Sequence, residues 1–193
     1  MSAIISPDST AASSVATSAG LDGAGLDGAG LDRGAGRAAA LRAILLAGSA
    51  AATLDLMFAF TFYGVTLGAS PLRILHSIAS GAFGMAAFDG GMATAAFGLL
   101  AHYFILIVAA SLYYAASTRV AALRQRAAIL GPLFGVAIYC VMHYVVLPLS
   151  AAPKFRTSAL SLSSEFLMHL LLGLTIALVL RSWMRLPPES DRR

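Results

Sequence analysis

The stretch Leu41–Gly64, LRAILLAGSAAATLDLMFAFTFYG, decides how this sequence is read. It is apolar for long enough to cross a bilayer, for which about 20 residues suffice, and it carries one carboxylate, Asp55, near its middle. An acid at mid-helix costs at least ~2.5 kcal/mol on insertion scales, so it is expected to face a bundle interior and a partner. The rest of the chain is therefore searched for what holds that acid.

Working outward, three more runs are long and apolar enough to span: Met92–Ala116, Ala127–Leu147 and Leu162–Ser182. The chain as a whole has 59% hydrophobic and 11% charged residues and a mean hydropathy of +0.81. Soluble domains carry about 25% charged residues, so this is the composition of a membrane protein. Ser70-Pro71 is a helix start and Gly90-Gly91 a stop, which delimits a shorter helix over residues 71–88. Its Arg73, Ser77, Ser80 and Gly84 lie opposite Leu72, Leu75, Ala79, Phe83 and Ala86. That amphipathic pattern predicts a helix lying in, or dipping into, one membrane interface.

Positive charge orients the frame. With four spans, Arg33, Arg37, Arg42, Arg119, Arg124, Arg126, Arg181, Arg185, Arg192 and Arg193 share one side, against Arg73, Lys154 and Arg156 on the other. Ten against three predicts cytoplasmic termini and an outer 71–88 helix. Because the basic residues flank apolar runs, the pI near 9.6 does not point to nucleic acid. Tyr113, Tyr114 and Trp183 fall where a cytoplasmic aromatic belt is expected, and Tyr63 and Tyr144 where an outer one is.

Residues 1–38 differ in kind, being Ser, Ala, Thr and Gly around a tandem repeat, GLDGAGLDGAGLDRGAG. Such a segment buries too little to offset its ordering entropy, and disorder is expected. Asp22, Asp27 and Asp32 lack the ligand density and terminal Glu of a calcium loop. The expected organisation is a disordered 1–38, a membrane domain over 39–186 and a cytoplasmic tail over 187–193. The apolar run starts late and is longer than a signal h-region, so it is expected to stay as an anchor. Cys140, lying inside a span, reads as a small buried hydrophobe.

Each span carries a strongly polar residue: Asp55, His102, His143 and His169, with Glu165 one turn before the last. Small residues share their faces: Gly48, Ala52 and Ala59 with Asp55, Ala95 and Gly98 with His102, Gly135, along with Tyr139, with His143, and Gly173 and Ala177 with His169. Such faces pack closely between membrane helices, so the polar groups are expected to point at neighbouring helices. The ~1.5 Å rise per residue puts Asp55 and His102 deeper and His143, His169 and Glu165 shallower, all in the outer half.

Four readings follow. The polar groups can simply fasten helices through hydrogen bonds, in a structural or assembly subunit of a membrane complex. They can form an outward-opening ligand or proton site, since an acid and imidazoles titrate near neutrality. His102, His143 and His169 can ligate a metal if they converge. His102 and His169 can hold a haem, making the chain a membrane oxidoreductase subunit. His76 is expected among the headgroups, or as a lid on an outer cavity. Gly131-Pro-Leu-Phe-Gly135 is a GxxxG able to pack against a membrane partner or a second copy. Ser77, Ser80, Ser163 and Ser164 sit in no G-x-S-x-G elbow, and no phosphate-binding loop is present, so a non-enzymatic protein is favoured.

The run PLRILHSIASGAFGMAAFDGG, followed by a His-bearing second span and VMHYVVLPLSAAP, resembles a group of small bacterial membrane proteins of unassigned function. The resemblance covers roughly residues 48–180. It implies four spans in a bacterial cytoplasmic (inner) membrane and carries no catalytic role onto any residue. The expected fold is all-α: a four-transmembrane-helix bundle with one interfacial or re-entrant helix.

Overall fold

The computed structural model describes residues 13–153 and 158–184, with side chains from Arg33 onward. Lys154, Arg156, Arg185, Arg192 and Arg193, counted above for orientation, lie outside the described residues, as do the side chains of Asp22, Asp27 and Asp32.

Helix α1 runs Ser13–Leu67, α2 Pro71–Phe83, α3 Gly91–Arg119, α4 Ala121–Gln125, α5 Ala127–Val141, α6 Leu147–Leu149 and α7 Ala159–Met184. A 3-10 turn, Gly84–Asp89, joins α2 to α3, and a π turn, Met142–Val146, joins α5 to α6. No strand occurs among the described residues. Among the described residues, four stretches are long and apolar enough to cross a membrane: Arg33–Leu67, Gly91–Arg119, Ala127–Leu149 and Ala159–Met184. The all-α, four-span expectation stands. The helix continues back to Ser13, into the low-complexity segment, because extending a formed helix costs far less per residue than starting one.

The membrane domain is packed through small residues. Ala43, Ala47, Ala51 and Ala52 of α1 are buried, as are Ala109, Ala110 and Tyr113 of α3 and Leu172, Ile176 and Leu180 of α7. Large side chains face outward instead, among them Met57, Leu100, Phe104, Ile129, Leu133 and Leu167. Lipid solvates such side chains as well as a core does, so helices associate where backbones approach closely.

Two antiparallel pairs result. On α1, a Cβ at Gly48 would lie 2.6 Å from the Ile107 Cα of α3. On α5, Gly131 and Gly135 meet the Gly173 region of α7 so closely that a Cβ at Gly135 would fall on the His169 carbonyl. The GxxxG face is therefore covered within the chain and is not free for a partner.

Helix α2 does not span. Ser70 Oγ accepts the Arg73 N–H at 3.2 Å and Pro71 opens the first turn, as the sequence predicts. The helix lies across α3 where Gly98 leaves no room beyond the Leu75 carbonyl. Gly84, at φ 59°, then turns the chain in a conformation that L side chains rarely adopt. The Ala151 N–H donates to the Gly81 carbonyl at 2.9 Å, tying the segment after α6 to α2. The ends of α1 and α6 and the start of α3 thus gather at the α2 end of the bundle.

Two expectations are corrected by packing. Tyr113 is not in an interfacial belt; it is 1% exposed, and its hydroxyl donates to the Leu123 carbonyl at 2.9 Å, folding the α3–α5 connection against the bundle. Cys140 is exposed rather than buried, because its helix turns that face away from α7.

Candidate functional site

The antiparallel contact of α1 with α3 sets Ala52 and Asp55 beside His102. His102 is buried, with Nε2 3.2 Å from the Ala52 carbonyl oxygen and 3.6 Å from Asp55 Oδ2. Both neighbours of that nitrogen are acceptors, so Nε2 carries the proton and donates to the Ala52 carbonyl, with the carboxylate just beyond hydrogen-bond length. A second bridge, Thr53 Oγ1 to Tyr103 Oη at 2.8 Å, runs alongside and fixes the register of the two helices.

Nearer the α2 end, α1 meets α7. The Tyr63 hydroxyl donates to Glu165 Oε1 in a short hydrogen bond. One turn on, the His169 Nδ1–H donates to the Glu165 carbonyl at 2.7 Å, which turns the Nε2 edge of that ring away from its own backbone. Glu165 and His169 lie near enough to Asp55, and Glu165 and Asp55 near enough to Tyr63, for electrostatic interaction. The helical rise puts about 12 Å between Asp55 and Tyr63 along α1. The titratable groups therefore form a column between α1, α3 and α7, with the Asp55–His102 pair at its deep end. Beyond that pair lie Ala43, Ala47, Leu106 and Ala110, which are apolar and buried.

His143 joins this column only through aromatic contact. It sits on the π turn, where the Leu147 N–H reaches back five residues to the Met142 carbonyl. Pro148 follows directly, and its ring crowds the carbonyl four residues back, so the widened turn relieves the clash and rotates His143 out of α5's phase. The His143 ring stacks on Tyr139 at 4.4 Å, and Tyr139 meets His169 edge-on at 5.4 Å.

The structure thus gathers Asp55, His102, Glu165 and His169 and leaves His143 at the margin. No three His, Cys, Asp or Glu side chains among the described residues are grouped so as to hold a metal ion. His76 is buried instead of lying among headgroups. Its Nε2 is 2.8 Å from the Gly91 carbonyl, and Phe88 packs against its ring. That bond closes the α2–α3 hairpin. Sequence reasoning misses two participants: Tyr63, which it expects in an interfacial belt, and Tyr139, which it puts on the His143 face without a role. The one signal that could have found Tyr63 is its place about two turns after Asp55 on the same helix.

Fold and column together define a class: an integral, multi-pass α-helical membrane protein that holds acids, imidazoles and a phenol between its spans. Comparison with family models, with curated proteins and with solved structures finds no match to this chain.

Proposed function

We propose that this chain is a non-enzymatic protein of a bacterial cytoplasmic membrane, with both termini cytoplasmic, whose Asp55, His102, Tyr63, Glu165 and His169 take up and release a proton from the outer face. The observation that carries this reading is that three spans bring together the half-buried Asp55 carboxylate and the buried His102 ring, 3.6 Å apart, with Glu165 of α7 held by Tyr63 two turns further along Asp55's own helix. Ionisable groups inside a membrane are costly to place there and mark substrate and ion pathways or proton relays. The apolar core beyond Asp55 and His102 supports a dead-end site, titrated from one side, rather than a path across the membrane. The scattered histidines favour a proton over a metal, and the arginine distribution supports the orientation.

One observation favours a second reading, in which the groups only fasten helices: His102 donates to a backbone carbonyl and not to Asp55. Infrared difference spectra of the reconstituted protein after a pH jump separate the two. The proton reading expects a carboxylic-acid band that disappears in Asp55→Asn while the protein stays folded. An unchanged spectrum, with stability lost instead, refutes it in favour of fastening.

A further inference from the structure

At the end of the bundle opposite α2, the C-terminal turns of α3 and α7 meet α4. Tyr113 and Ser117 are buried there, and the Arg124 Nη1–H donates to the Ser117 carbonyl. Beside this contact lies a pocket of about 190 Å³ lined by Arg124, Gln125, Arg181 and Met184. Arg181 Nε is the one buried side-chain nitrogen or oxygen among the described residues without a hydrogen-bond partner. A buried donor left unmet in this way calls for an acceptor, and a guanidinium calls for an anionic one.

Among the described residues the surroundings supply no such acceptor. The acids with described side chains are Asp55, Asp89 and Glu165, and all belong to the column or the α2 end. Arg119 and Arg126 flank the pocket in sequence and add positive charge. Arg181 lies in the last turn of α7, about 33 Å along the helix from Ala159, which is one hydrocarbon thickness away and therefore at headgroup level. The volume matches roughly six waters, enough for a tetrahedral anion with part of its hydration. Basic pockets between membrane helices at this depth bind phosphorylated headgroups.

We propose that the Arg124–Gln125–Arg181–Met184 pocket binds a phosphate group, presented by an anionic phospholipid or as free phosphate. The Arg181 guanidinium supplies the fork that grips it, and Arg124, anchored on the Ser117 carbonyl, supplies the second charge. This site is independent of the membrane-buried column and stands or falls without it.

The test is native mass spectrometry of the full chain in detergent, with phosphatidylglycerol or phosphatidylcholine added and with inorganic phosphate as a separate probe. The wild type is expected to retain one phosphatidylglycerol under conditions that strip phosphatidylcholine. Arg181→Gln should weaken that retention about ten-fold or more, the loss expected for one charged hydrogen bond. Arg124→Gln should weaken it as well, and it serves if Arg181→Gln fails to fold. Arg73→Gln, at the α2 end, should leave it unchanged. If millimolar inorganic phosphate instead protects the wild type, but not Arg181→Gln, against thermal unfolding and no lipid is held, the site is confirmed with free phosphate as its source. Equal loss in Arg73→Gln, or no preference for either phosphate source over phosphatidylcholine, overturns the proposal.

Discussion

Gly135→Ala tests the packing that everything else depends on. The added methyl would stand 2.7 Å from the His169 carbonyl carbon and 2.9 Å from the Leu170 Cα, and closer still to the His169 carbonyl oxygen. Carbon atoms rest about 3.5–4.0 Å apart, so α5 and α7 must separate by roughly 1 Å. Both neighbours are backbone atoms and cannot rotate aside, so the strain spreads along the interface. Gly173 and Gly131 then lose contact too, and the expected destabilisation is that of overpacking, about 1–3 kcal/mol. Equilibrium unfolding in mixed micelles measures it. Gly36→Ala is the control: Gly36 is helical with nothing within 4 Å of where its methyl would stand, so that change should be neutral or stabilising by roughly 0.5–1 kcal/mol. If Gly135→Ala is as stable as the wild type, backbone contact at the GxxxG is not what joins the two helices.

Two further outcomes follow from the site. Tyr63→Phe removes the donor to Glu165 and leaves a carboxylate unpartnered between helices, at an expected loss of about 1–3 kcal/mol. A double-mutant cycle with Glu165→Gln should show coupling, and additive losses would contradict the contact. His76→Ala breaks the side-chain bond that ties α2 to the Gly91 carbonyl at the start of α3. Amide exchange should accelerate across residues 71–89 and leave α5 and α7 unaffected, while unchanged exchange would show that His76 does not hold the hairpin.

Much of this architecture is legible in one dimension. A run of about 20 apolar residues crosses a bilayer whatever its neighbours are, so the spans can be delimited from Leu41–Gly64 outward. The non-spanning α2 follows from its Ser-Pro start and amphipathic face, and the faces of Asp55, His102 and His169 follow from the small residues beside them.

What the sequence could not decide is the depth and rotation at which residues far apart in the chain face one another. Those depend on which backbones approach: Gly48 on Ile107 brings Asp55 to His102, and Gly135 on His169 brings α7 against α5. The π turn before Pro148 likewise moves His143 aside, an effect invisible to a fixed helical period. Thus the sequence by itself determined which segments enter the membrane and which of their faces are polar, because apolar length and helical period are local properties. Only the tertiary structure decided that Tyr63 holds Glu165, that the GxxxG is used within the chain and that Arg181 ends beside an open pocket, because each depends on close contact between segments distant in sequence.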